Sequence, residues 1–82
     1  MTVSGILAAT TPAHLDAVRA AIGNFPWAEV HYSDPRGRLV VTIEADDEQQ
    51  SVDRLLEIRN LPRVVLAEMV EVRNVNEDTE LT

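Results

Sequence analysis

The sequence predicts an α+β domain built from four strands and two helices in the order β-α-β-β-α-β. Three observations carry that expectation. Residues 2–9 are apolar on both faces, residues 38–45 alternate strictly, and two stretches of helical spacing, each opened by capping residues, separate the strands. With 82 residues there is room for one small domain.

The first strand, Thr2 to Ala9, sets Val3, Gly5, Leu7 and Ala9 against Ser4, Ile6 and Ala8. A strand apolar on both sides belongs in the middle of a sheet. Thr10-Thr11-Pro12 then opens a helix: Thr11 is placed to cap the free N–H groups, and Pro12 fits a first turn where its missing N–H is not needed. Leu15, Val18, Ala21 and Ile22 recur at helical spacing, and Gly23-Asn24 are expected to end the helix in a left-handed turn. Phe25-Pro26-Trp27 link to a second strand, Ala28 to Tyr32. Phe25 is expected to plug the core and Trp27 to be partly exposed.

Ser33-Asp34-Pro35-Arg36-Gly37 is a tight turn, with Asp to bond the backbone, Pro to fix φ and Gly to accept a positive φ. In the third strand Leu39, Val41 and Ile43 alternate with Val40, Thr42 and Glu44, so one face packs and the other is more open. Asp46 and Asp47 favour the positive end of a second helix that carries Val52, Leu55, Leu56 and Arg59 as far as Asn60. Leu61-Pro62-Arg63 breaks it, and Val64 to Val72 is the last strand. A domain over 1–73 and a disordered acidic tail over 74–82 are expected.

Right-handed crossovers place both helices on one face of a four-stranded antiparallel sheet, the ferredoxin-like arrangement. The other face is then open, and an open face on a soluble protein is polar or binds something. Leu7, Ala9, Val40, Thr42 and Met69 are expected there beside Glu29, Glu44 and Glu71, an apolar strip flanked by carboxylates. His31 is expected on the same side as a rim contact.

The net charge is −7, with 14 acidic and 7 basic residues and no lysine. Nucleic-acid affinity rests largely on Lys and Arg neutralising phosphates, so DNA and RNA are disfavoured and a basic partner is favoured. No apolar run approaches the roughly 20 residues of a spanning helix, and no signal peptide is evident, so a cytoplasmic protein without stable membrane association is expected. The chain has no cysteine, hence no disulfide or thiolate chemistry. His14 and His31 lack partners at metal-ligand spacing, the three glycines are scattered, and no nucleophile, base and acid stand at a telling spacing. Neither catalysis nor a cofactor or metal is expected.

Taken in order, Phe25-Pro26, Glu29-Val30, Ser33-Asp34, Gly37-x-Leu39-x-Val41, Glu44-Ala45-x-Asp47 and Ile58-Arg59-Asn60 with Val64 make the chain resemble the NapD family over about Ser4 to Val70. These are assembly chaperones of the molybdenum enzyme periplasmic nitrate reductase. The resemblance implies a ferredoxin-like fold and binding of the twin-arginine signal peptide of the catalytic subunit, which restrains export until the molybdenum cofactor is loaded. It also implies that the peptide is received as a helix on the sheet face. The signal-peptide contacts then map to Leu7, Ala9, His31, Val40, Thr42, Glu44, Met69 and Glu71, with the protein a monomer or weak dimer. One departure is Glu71-Val72, where family members often carry a Tyr-His pair.

Two other functions share the element order. A regulatory domain binding a small ligand at a dimer interface needs a Gly-containing loop after the first strand, where this chain has Thr10-Thr11-Pro12. An acylphosphatase-type enzyme needs a Gly-rich phosphate loop with an arginine, which has no counterpart between Ala9 and His14.

Overall fold

The computed structural model describes residues 1–74, and its elements follow the expected order. Strand β1 (Thr2–Ala9) leads through a 3-10 turn (Pro12–His14) into α1 (Leu15–Gly23). β2 (Ala28–Ser33), β3 (Arg38–Ala45), α2 (Glu48–Arg59) and β4 (Leu66–Asn74) follow. The strands form one antiparallel sheet in the order β2-β3-β1-β4, so β1 and β3 are the inner pair.

Alternation divides the sheet cleanly. Ile6 and Ala8 of β1 and Leu39, Val41 and Ile43 of β3 are buried in one cluster with Val18 and Ile22 of α1 and Leu55 and Ile58 of α2. Both helices therefore cover the same face, and the fold is ferredoxin-like. Phe25 and Trp27 stack with ring centroids 4.4 Å apart, and both pack against this cluster. The Arg54 guanidinium lies 5.1 Å from the Trp27 ring centroid. Trp27 is thus held on the helix side, away from the open face. Among the described residues no helix is long and apolar enough to cross a membrane.

The helix ends differ from expectation in instructive ways. Asp47 caps α2 as its side chain accepts from the Gln50 N–H at 2.8 Å, and Asp46 N–H donates to Gln50 Oε1 at 2.7 Å. Thr11, by contrast, makes no cap to a backbone N–H; its hydroxyl bonds His14 Nδ1 at 2.8 Å. A left-handed stop at Gly23-Asn24 is absent. Asn24 is right-handed (φ −75°, ψ −18°), and its N–H closes α1 onto the Ala20 and Ala21 carbonyls. The positive φ falls instead at Arg63 (φ 75°), in the loop between α2 and β4, and at Gly37 (φ 98°).

That loop delays β4, which begins at Leu66 rather than Val64 because Val64 N–H is turned back onto the Leu61 carbonyl. The Thr10 hydroxyl donates to the Arg63 carbonyl at 2.6 Å and fixes the loop against the end of β1. At its other end β4 runs on through Asn74, whose side chain accepts from the Thr2 hydroxyl at 2.9 Å. Asn74 therefore belongs to the sheet and not to a tail; residues 75–82 lie outside the described residues.

In α2 the buried positions are Ser51, Leu55 and Ile58, while Val52 and Leu56, expected to pack, are exposed. The small Ser51 faces the sheet, its hydroxyl donating to the Asp47 carbonyl at 3.1 Å.

Candidate functional site

The face turned away from the helices is laid out in rows by the strand register. One row runs Tyr32, Val40, Leu7, Glu68 across β2, β3, β1 and β4. Beside it on one side stand Arg38, Ala9 and Leu66, and on the other Glu29, Thr42, Gly5 and Glu71. A last row places Glu44, Val3 and Arg73 together. The apolar side chains thus gather toward the end of the sheet where β1 finishes, and the carboxylates Glu29, Glu44 and Glu71 gather toward the end where it starts.

Of the expected contact residues, Leu7, Ala9, His31, Val40, Thr42, Glu44 and Glu71 lie on this face. Met69 does not. It pairs with Ile6, a buried residue, and packs half-buried against the core beneath the helices. The cause is a break in register on β4: Gly5 pairs with Glu71 but Ile6 with Met69, leaving Val70 as an extra residue. A bulge of this kind reverses the alternation, so Met69 and Glu71, two apart in sequence, face opposite sides.

A second irregularity lies on β2. Val30 pairs with the buried Val41 and Tyr32 with the outward Val40, leaving His31 as the extra residue. His31 therefore joins Tyr32 on the open face. Its Nε2 shares a 2.6 Å hydrogen bond with Thr42 Oγ1, and its Nδ1 stands 3.8 Å from Glu29 Oε2.

Simple alternation misses Tyr32, Leu66 and Val70, which are 58%, 39% and 65% exposed on this face beside Val40 at 43%. The bulge on β2 turns Tyr32 outward, whereas Val70 keeps the alternation set by Leu66 and Glu68, and the bulge on β4 brings Glu71 to the same face after it. Leu66, opposite Ala9, was legible from period two once the strand start was right.

Around the apolar rows the carboxylates are not equivalent. Glu71 is paired with Arg73 at 3.1 Å and Glu29 faces His31, while Glu44 and Glu68 have no ion-pair partner among the described residues. Between Thr42 and Glu71 the missing side chain of Gly5 leaves a hollow of about 260 Å³, lined by Val3, Gly5, Thr42, Glu71 and Arg73. Among the described residues no group of three His, Cys, Asp or Glu side chains is placed to hold a metal ion.

The NapD protein family model matches residues 1–71. The chain belongs to the NapD family. This NapD-family fold superposes on the solution structure of the Tat proofreading chaperone protein NapD of E. coli with a TM-score of 0.79. The two are 25% identical, over 92% of this chain and 79% of that one. The crystal structure of a hypothetical protein from Pyrococcus horikoshii gives a TM-score of 0.73 at 21% identity over 94% of each chain, a likeness of fold. No curated protein matches. Family and structural likeness together support a chaperone role.

Proposed function

We propose that this NapD-family protein is a cytoplasmic chaperone, without catalytic activity, that binds the twin-arginine signal peptide of the catalytic subunit of periplasmic nitrate reductase. By holding that segment it restrains export until the molybdenum cofactor is in place. The observation that carries the reading is the open sheet face: Tyr32, Val40, Leu7 and Leu66 form an apolar surface, and beside it stand Glu44 and Glu68, carboxylates without an ion-pair partner among the described residues.

A twin-arginine signal peptide has two adjacent guanidinium groups followed by an apolar segment. It is complementary to such a face in both parts. Carboxylates accept paired N–H donors from arginine in a fixed geometry, and an amphipathic helix lays its apolar side into an apolar groove. The graded layout fits the same order, with Glu29, Glu44 and Glu71 toward one end and most of the apolar residues toward the other, Glu68 standing in the apolar row.

Titration calorimetry with the synthetic signal peptide tests the proposal. Binding at micromolar or better affinity, lost or strongly weakened when both peptide arginines become alanine, is expected. An absence of heat, or equal affinity for the two peptides, would overturn it.

A further inference from the structure

The proposed peptide brings two guanidinium groups to a face that carries Glu29, Glu44, Glu68 and Glu71. We infer that the hollow over Gly5 is the seat of one peptide guanidinium, with Glu71 as its acceptor and Arg73 as a resident placeholder that the peptide displaces. The inference rests on the proposed peptide binding.

Four observations meet at this place. Gly5 is the one glycine in the sheet, and it sits between Thr42 and Glu71 on the open face. A Cβ built there would make only ordinary contacts, 3.7 Å to Glu71 Cβ and 3.7 Å to Val70 Cγ2. Neither its backbone nor crowding demands glycine, yet its absent side chain opens the hollow. Second, the hollow's volume of about 260 Å³ gives a planar guanidinium ample room. Third, the hollow already has a guanidinium at its rim: Arg73 Nη2 lies 3.1 Å from Glu71 Oε2. Fourth, both partners of that pair are largely exposed, at 71% and 61% of their side-chain surface.

An exposed pair of this kind is weak, because solvent screens it and two long side chains must be held still. It is strong enough to occupy Glu71 in the free protein and weak enough to yield. A peptide arginine arriving with an apolar segment already seated on Val40 and Leu7 competes from a high local concentration. Arg73 alone has no such anchor. The exchange replaces one Arg–carboxylate contact by another, so Glu71 is never left bare, and a lone surface cation gains little by entering. Arg73 would then raise the threshold for binding peptides that lack the apolar segment.

The test is a double-mutant cycle on the full chain, read by titration with the synthetic twin-arginine signal peptide. Arg73→Gln is expected to tighten binding about threefold to fivefold, the scale of one exposed ion pair. Glu71→Gln is expected to weaken it by a similar factor, and in the Glu71→Gln background the gain from Arg73→Gln should vanish. Circular dichroism confirms that each variant folds, as expected for exposed positions on an edge strand. A gain that persists without Glu71 would mean that Arg73 merely repels a cationic peptide, and the placeholder would be refuted. No gain, or a loss, on Arg73→Gln with normal wild-type binding would refute it equally. Wild-type protein that fails to bind the peptide would instead overturn the proposed function, and this inference with it.

Discussion

At the scale of single residues, the turn between β2 and β3 is organised by one side chain. Asp34 accepts from the N–H groups of Arg36 at 3.0 Å and Arg38 at 3.1 Å, and from Arg38 Nε at 2.9 Å. The Arg38 backbone N–H foremost, helped by the Arg38 side chain and the Arg36 N–H against some desolvation, holds its carboxyl below the ordinary value of 3.8. A carboxyl depressed in the folded state adds stability that is present above its unfolded value and is lost as pH falls through the folded one. Wild-type protein should therefore lose thermal stability below about pH 4 more steeply than Asp34→Ala; parallel melting curves across that range would count against it. Gly37 closes the same turn at φ 98°, with Thr10 O only 2.0 Å from where a Cβ would stand. Gly37→Ala should cost at least ~2 kcal/mol in denaturant unfolding, since it combines backbone strain with a backbone clash. Ser4 is the opposite case. Its hydroxyl is buried under the helices with no hydrogen-bond partner among the described residues. Ser4→Ala should raise stability by ~1 kcal/mol, or some 4–8 °C in melting temperature for a domain of this size. An unchanged or lowered melting temperature would show that the hydroxyl has a partner.

At the scale of elements, periodicity alone places the two inner strands and the helix-facing core. Val41 is buried and Val40 exposed, as the alternation of β3 requires. The edge strands were less legible. Each carries one extra residue, and a bulge leaves no mark in composition: Val70 and His31 fit an unbroken strand as well as a broken one. Met69 was consequently placed on the wrong side, and Tyr32 was missed. Helix α2 misleads for another reason. Its most apolar stripe contains Val52 and Leu56, but the buried stripe runs through the small Ser51 with Leu55 and Ile58, so packing against the sheet overrides hydrophobicity alone. Face assignment makes a direct prediction. Val41→Asp should unfold the domain, because it buries an unpaired carboxylate under the helices. Val40→Asp should stay folded by circular dichroism and weaken peptide binding at least tenfold, as an anchor on the open face does when reversed in polarity. Met69→Asp should behave like Val41→Asp, a loss of stability before any loss of binding. Should Met69→Asp stay fully stable and lose the peptide, the register break on β4 would be wrong.

For the molecule as a whole, the sign of the surface charge was more legible than the placement of its carboxylates. A net charge of −7 without lysine favours the cationic partner proposed above, and the register places negative charge beside apolar surface on the open face. Not legible was which carboxylates are free, since that depends on Arg73 reaching Glu71 and His31 turning toward Glu29. The division of the open face into acidic and apolar ends implies two separable contributions to binding. In the proposed complex, contacts between peptide arginines and exposed Glu44 or Glu71 would be screened by salt, with a Debye length falling from about 10 Å at 0.1 M to about 3 Å at 1 M. Apolar contacts on Val40 and Leu7 are not, and salts such as sulfate strengthen them. Affinity for the twin-arginine peptide should therefore fall about tenfold between 0.05 M and 0.5 M sodium chloride, the order expected for one or two exposed ion pairs. It should then level off rather than vanish. Val40→Asp would lower affinity at every salt concentration and keep or steepen the slope, because its added carboxylate contributes a screened attraction. Glu44→Ala would flatten the slope, at a cost of roughly 0.2–1 kcal/mol at low salt. Calorimetric titrations of these three proteins across that salt range separate the two contributions. A wild-type affinity independent of salt would remove the acidic end from the binding site, whereas a slope unchanged by Glu44→Ala would remove Glu44 alone.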